Sequence, residues 1–403
     1  MKRRLLSLVL ALVSLAGPAA AQIAAVASPS GPVMTGPYIV VDAATGETLL
    51  QRDAGAAWYP ASLTKMMTIF LLFEELKAGR LTLSSPVPFS QNAAKVSPSK
   101  LGVAPGNAIT VEQAVQALVA RSANDVAVAV AELLGGSEAV FAQRMTQTAR
   151  RLGMTATEFR NPHGLPDPAQ VSTPRDLALL ALALVREFPQ YYGYFHTQEF
   201  MFGKQRIGPG VKFLELYSPY ADGLKTGFIC SSGFNIMASA VRDGRRLIAG
   251  SFGFRRGDLR DEFMVRLFDE AFLLKTGGNR PKLWQLQNEG GPPPFVIPYG
   301  ECGTIRYDMP GDAAWLGTFA DWRTAKRVFD QGQAELSSLG FSHLGKEWIL
   351  PVTGEKVKKQ AAIVADLQPE AAQQLCAVYQ AKRQFCQVRK AQDMRAPFAG
   401  FWR

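Results

Sequence analysis

Three short stretches carry hydroxyls and amines at spacings that could do chemistry. Ser62-Leu63-Thr64-Lys65 sets a hydroxyl and an amine three residues apart; Ser122-Ala123-Asn124 offers a second hydroxyl and a carboxamide; Lys225-Thr226-Gly227 offers a second amine. A serine is a poor nucleophile until a nearby base takes its proton, and a lysine can be that base once its pKa is lowered. If the apolar run 66–73 is a helix, positions i and i+3 share a face, and the Lys65 amine reaches the Ser62 hydroxyl. Pro60 and the capping-type Ser62 suit a helix N-terminus, whose dipole favours developing negative charge. Alone, the spacing is common by chance, and a capping serine beside a solvated lysine explains it equally well. Three motifs in this order are a stronger signal.

The elements that must position them can be read from period and punctuation. Residues 38–42 predict a strand, 43–46 a turn and 47–52 the returning strand. The Ser62 helix is expected to end near Gly79. A helix over 111–119 opens on a Thr110-x-x-Gln113 capping signal and leads into the second motif. Helices follow over 126–134 and 141–152, then a loop of turn formers over 161–167. Pro174 suits the first position of a helix running to about Glu187. Residues 213–217 look extended, 234–241 and 246–254 form a hairpin, and 260–275 a closing helix. N-terminal and C-terminal strands thus flank a helical middle, an α/β/α sandwich on an antiparallel sheet. Farther on, strands over 313–319, 348–352, 361–365 and 385–388 alternate with helices over 323–339 and 369–380. This βαββαβ order predicts a small α+β, ferredoxin-like domain.

Other features bound the function class. The basic start Met1–Arg4, an apolar core over 5–15 and Ala19-Ala20-Ala21 read as a secretory signal over 1–21, cleaved after about Ala21. Residues 22–36 read as disordered, 37–276 as the first domain, 277–310 as a Pro/Gly-rich linker, 311–390 as the second domain and 391–403 as a tail. The net charge of +10 is scattered, with no basic stripe interleaved with aromatics, so nucleic acid is not an expected partner. Three histidines without ligand spacing point to no metal, and no cofactor motif is present. An exported chain can form disulfides. Of its four cysteines, Cys376 and Cys386 are the favoured pair; Cys230 and Cys302 either pair or stay free.

From Tyr38 to about Lys275 the chain resembles the serine-type D-alanyl-D-alanine carboxypeptidases, the low-molecular-mass penicillin-binding proteins. The resemblance rests on the three motifs, Leu152-Gly153-Met154, and Asn161-Pro162-His163-Gly164-Leu165 with its flanks, which separates this family from β-lactamases. It implies that Ser62 forms an acyl-enzyme, Lys65 is its base and Ser122 relays a proton to the leaving amine. Asn124 holds the substrate or orients Lys65. Lys225 and Thr226 bind the terminal carboxylate, and Gly227 lets an extended ligand approach the strand. The oxyanion hole falls to the backbone N–H groups of Ser62 and Phe228. Peptidoglycan stem peptides would be the substrate and β-lactams covalent inhibitors. The family commonly has His-Thr after Lys-Thr-Gly, where this chain has Phe228-Ile229. That departure bears on pH profile, deacylation and substrate preference. His163 reads as ordering its loop.

Residues 311–390 resemble the SPOR domain, a peptidoglycan-binding module, through Ala314–Phe319, Leu367-x-Pro369-Glu370, Leu375-Cys376 and Phe385–Val388. This implies binding of glycan strands on a sheet face without helices. No membrane-anchoring tail is evident, so attachment would come from glycan. The expectation is therefore a periplasmic carboxypeptidase held on cell-wall glycan. The alternatives are a D,D-endopeptidase, a β-lactam hydrolase, or an idle penicillin- or glycan-binding scaffold.

Overall fold

The computed structural model describes residues 27–28, 31–32, 36–208, 210–277, 279–291, 293, 311–320, 322–351 and 359–390. The signal, the Pro-rich stretch after Gly291, Cys302 and the tail 391–403 lie wholly or mostly outside them. Ala27–Ser28 pairs antiparallel with Gly31–Pro32.

The first domain is built on strands β1 (Tyr38–Asp42) and β2 (Thr48–Arg52). A helical middle follows, with α1 (Lys65–Lys77), α2 (Asn124–Gly135), α3 (Glu138–Arg151) and α4 (Pro174–Glu187). Strands β3 (Ala221–Ile229), β4 (Gly233–Arg242) and β5 (Arg245–Phe254) and helix α5 (Gly257–Leu273) close it. The sheet order is β2-β1-β5-β4-β3, antiparallel throughout, with β3 at one edge. Asp243 and Gly244 both take positive φ, which a two-residue hairpin turn needs for its twist to match the strands.

Period-2 alternation sends the β1 side chains to two faces. Ile39 and Val41 join the core of the helical middle with Met237 and Ile248. Tyr38 turns the other way and meets Phe263 of α5 edge to face, with Phe254 against the same ring. Helix α1 is apolar nearly all round and almost wholly buried, as a helix at the centre of a domain must be. Thr173 caps α4 by accepting from Asp176 N–H at 3.0 Å, with Pro174 in the first turn.

Two expectations need correcting. Residues Phe213–Leu216 form a helical turn, not an extended segment. Phe213 and Tyr217, one turn apart, both stack on Phe268 of α5, and that packing overrides the strand-like composition. The linker also starts later than expected. Leu283 is fully buried, Thr48 N–H donates to Pro281 O, and Glu289 N–H donates to Gly55 O, so this stretch belongs to the first domain.

The second domain has the expected βαββαβ order: β6 (Asp312–Phe319), α6 (Trp322–Ser338), β7 (Lys346–Pro351), β8 (Gln360–Leu367), α7 (Pro369–Ala381) and β9 (Gln387–Lys390). Its sheet order is β7-β8-β6-β9. Cys376 on α7 is bonded to Cys386, just before β9. Of the other two cysteines, which were expected either to pair or to stay free, Cys230 is disulfide-bonded and Cys302 lies outside the described residues. Ala314, Leu316, Ala362 and Val364 face the helices. The opposite sheet face was expected to be without helices and to suit a glycan. Instead Ala313, Ala361, Ile363 and Ala365 are buried in a cluster with Tyr59, Ala61 and Ile229 of the first domain.

Candidate active site

Ser62 stands in a single 3-10 turn, Ala61–Thr64, that runs directly into α1 at Lys65. It is not the helix cap that its type suggested, since neither helical start has a side-chain capping bond. Its Oγ lies 3.0 Å from Lys65 Nζ. Side chains at i and i+3 eclipse in a 3-10 turn, so the spacing brings the pair together by a slightly different geometry.

Lys65 is fully buried. Its Nζ donates to Asn124 Oδ1 at 2.7 Å and to the His163 carbonyl at 2.5 Å. Burial, and then the Lys225 charge, push its pKa well below the ordinary lysine value; the Asp125 charge pulls the other way. A neutral amine has two N–H donors and one lone pair. Both carbonyl oxygens can only accept, so they take both N–H groups. The lone pair is left for Ser62.

Ser122 follows a π-helical turn, Ala117–Arg121, and takes a left-handed conformation at φ +55°. For a residue with a Cβ this costs about 1–3 kcal/mol, and such strain concentrates at functional sites. Among the described residues its buried Oγ has no hydrogen-bond partner. Asn124 opens α2, and its Nδ2 donates to Ser97 O at 2.9 Å. Asp125 accepts from the Leu101 and Gly102 N–H groups. The second motif therefore also fastens the 97–102 loop that flanks the cleft.

The third motif lies on edge strand β3. Lys225 is almost fully buried, and its Nζ donates to Thr226 O at 3.1 Å. Burial, then the Arg260 charge, lower its pKa to about 7. Gly227 has a further use beside the one expected. A Cβ there would sit 2.9 Å from Pro60 O and 3.1 Å from Ser62 N, so glycine lets the strand close on the nucleophile's own backbone. Phe228 is 38% exposed and packs on Phe234 with ring centroids 4.2 Å apart, forming an apolar wall. Asn235 ties β4 to the nucleophile segment, donating to Tyr59 O at 3.1 Å.

These groups meet in one cleft of about 370 Å³, lined by Ser62, Ser122, Asn124, Thr226, Phe228 and Arg260, among others. Lys65 and Lys225 lie behind this wall. Arg260 was not anticipated. It is buried, bonded to Asp261 and set on α5, where its sequence neighbours show only an ordinary amphipathic helix. His163 was read correctly as a loop residue. Its Nδ1 accepts from Leu165 N–H at 3.1 Å, and its Nε2 lies 3.3 Å from Glu138. Burial lowers its pKa, against the pull of Glu138. Its carbonyl, not its ring, touches Lys65.

Comparison with known proteins agrees with this geometry. The D-alanyl-D-alanine carboxypeptidase family model (peptidase S11) matches residues 23–255. DacC of Escherichia coli K12, a D-alanyl-D-alanine carboxypeptidase, is 34% identical over 249 residues, covering 60% of each chain. DacF of Bacillus subtilis 168, also a D-alanyl-D-alanine carboxypeptidase, is 30% identical over 238 residues, covering 58% of this chain and 61% of that one. The chain thus spans about 60% of the length of these curated relatives. Penicillin-binding protein 5 of Haemophilus influenzae superposes with a TM-score of 0.58 at 28% identity, covering 60% of this chain and 71% of that one. Penicillin-binding protein D2 of Listeria monocytogenes, solved with cefotaxime bound, gives 0.55 at 26% identity, covering 60% and 98%.

Proposed function

Because the chain belongs to the D-alanyl-D-alanine carboxypeptidase family, we propose that it is a serine peptidase removing the terminal D-alanine of peptidoglycan stem peptides through a Ser62 acyl-enzyme. The observation that carries this reading is the buried Lys65 amine, whose Nζ lies 3.0 Å from Ser62 Oγ and is held by Asn124 Oδ1 and the His163 carbonyl. Lys65 takes the hydroxyl proton as Ser62 Oγ attacks the D-Ala-D-Ala carbonyl. The backbone N–H groups of Ser62 and Phe228, brought close by Gly227, hold the oxyanion. The unpartnered Ser122 hydroxyl passes a proton from Lys65 to the departing amine. Water then attacks the ester and restores Ser62. Thr226 and Arg260 line the cleft for the substrate's terminal carboxylate, with the Lys225 amine behind them. Phe228 contributes apolar contact in place of a polar ring. The related Listeria protein binds cefotaxime, and β-lactams are expected to acylate Ser62 here.

The second domain is read as a glycan-binding module that holds the enzyme on the cell wall after export by residues 1–21. Its βαββαβ order supports this. So does a cavity of about 470 Å³ lined by Trp315, Phe319, Tyr379 and Phe385 with Gln331 and Gln384. Aromatic faces and amides are suited to sugar rings. Among the described residues no helix is long and apolar enough to cross a membrane.

The full chain should release D-alanine from a pentapeptide. Cleavage of a cross-linked dimer with none released from the pentapeptide would make it an endopeptidase. Rapid turnover of penicillin would make it a β-lactam hydrolase, and no covalent adduct an idle scaffold. Retention on sacculi should increase once stem peptides are stripped; equal retention would reject glycan targeting.

A further inference from the structure

Four side chains on the helix-free face of the second domain's sheet, Ala313, Ala361, Ile363 and Ala365, are fully buried. No helix of that domain covers them; they share one apolar cluster with Tyr59, Ala61 and Ile229. Two of these partners are significant by position. Ala61 precedes Ser62, and Ile229 follows Phe228, so each adjoins a residue assigned an oxyanion-binding N–H. Ile229 also lines the catalytic cleft.

Ala61 is held unusually. It has φ +49°, a left-handed conformation disfavoured for a residue with a Cβ. Such a conformation persists only where the surroundings over-determine it. On one side Gly164 presses so close that a Cβ there would lie 1.9 Å from Ala61 O. On the other side stands the apolar cluster. Three of the four sheet positions are alanines, and Ile363 supplies the bulk.

We propose that this sheet face is a docking surface for the rim of the catalytic cleft, and that docking positions the Ala61–Ser62 and Phe228–Ile229 segments so that their two N–H groups converge on the oxyanion. The partner is the chain's own catalytic domain, and the second domain is then a positioning element of the reaction as well as a tether. The inference rests on the reading of Ser62 as the acylated nucleophile. One consequence is exclusivity: a glycan strand cannot occupy this face while the domain is docked, and must use the aromatic cavity instead.

The test uses the full chain with Ile363→Glu, which puts a charge into the contact, and independently Trp315→Ala, which only removes a half-buried ring from it. Two readouts are taken with a fluorescent penicillin and by amide hydrogen exchange: the acylation rate at saturation, separated from the concentration for half-maximal rate, and exchange over residues 59–63 and 227–230. Docking predicts faster exchange in both segments. The saturating rate should drop about tenfold, short of the 10²–10³ that follows loss of a whole oxyanion donor, with the half-saturation concentration little changed. Trp315→Ala should shift both readouts in the same direction by less. Faster exchange with an unchanged rate would overturn the positioning role, and unchanged exchange in both variants would overturn docking itself. A wild-type chain that takes no penicillin would instead refute the Ser62 reading.

Discussion

Replacing Lys65 by methionine keeps an unbranched side chain of similar length and removes only the amine. Three effects can be sized. Asn124 Oδ1 and the His163 carbonyl lose donors at 2.7 and 2.5 Å, and both contacts are buried. A buried acceptor left unpaired costs about 1–3 kcal/mol, so the two together cost about 2–6 kcal/mol. Against this, the folded state no longer holds a desolvated amine. That amine's pKa is lowered in the fold, so at neutral pH the unfolded chain binds its proton more readily and the native state is penalised. The offset should reduce that loss of stability. The chemical effect is larger. Loss of a positioned general base costs about 10²–10⁴ in rate. Labelling by a fluorescent penicillin, followed over time beside a thermal melt, separates the two effects. Acylation should slow at least about a hundredfold while melting remains cooperative. A folded Lys65→Met protein acylated within about tenfold of the parent would refute Lys65 as the base.

Gly227→Ala places a methyl 2.9 Å from Pro60 O and 3.1 Å from Ser62 N. It should cost about 1–3 kcal/mol in denaturant unfolding, and slow acylation at least about tenfold by displacing an oxyanion donor. The Lys225 pKa of about 7 lies below the ordinary 10.5, so the unfolded chain holds more protons between those values. Stability should therefore rise with pH from about 7 towards 10.5, and melts of Lys225→Met should lose part of that slope, with Lys65 retaining the rest. Opening the Cys376–Cys386 bond with a double serine variant releases a loop of sequence separation 10 and should cost about 2–3 kcal/mol, read from the second domain's unfolding transition.

Local signals carried much of this fold. The strand 38–42, the 242–245 turn and the Thr110 capping box all follow from neighbouring residues, and all are present. The Ser62–Lys65 pair was legible because i,i+3 contact survives in either helix type. What stayed hidden depends on contacts made far away in the chain. Nothing near Gly227 in sequence shows that Ser62 N packs against it. Arg260 looks like any arginine on an amphipathic helix until α5 folds back over β4 and β5. His163 acts through its backbone oxygen, which leaves no side-chain signature. Residues 213–217 were misread because stacking on Phe268, 50 residues later, decided a segment whose own composition suits a strand. The helix-free sheet face looked suited to a glycan because its alanines carry no mark of what covers them.

The central claim is that Ser62 becomes an ester. The direct test is peptide mass spectrometry of the full chain after incubation with a penicillin. The penicilloyl mass should appear on the peptide containing Ser62 and be absent in Ser62→Ala. A folded wild-type chain with no adduct, or an adduct on any other residue, would contradict it.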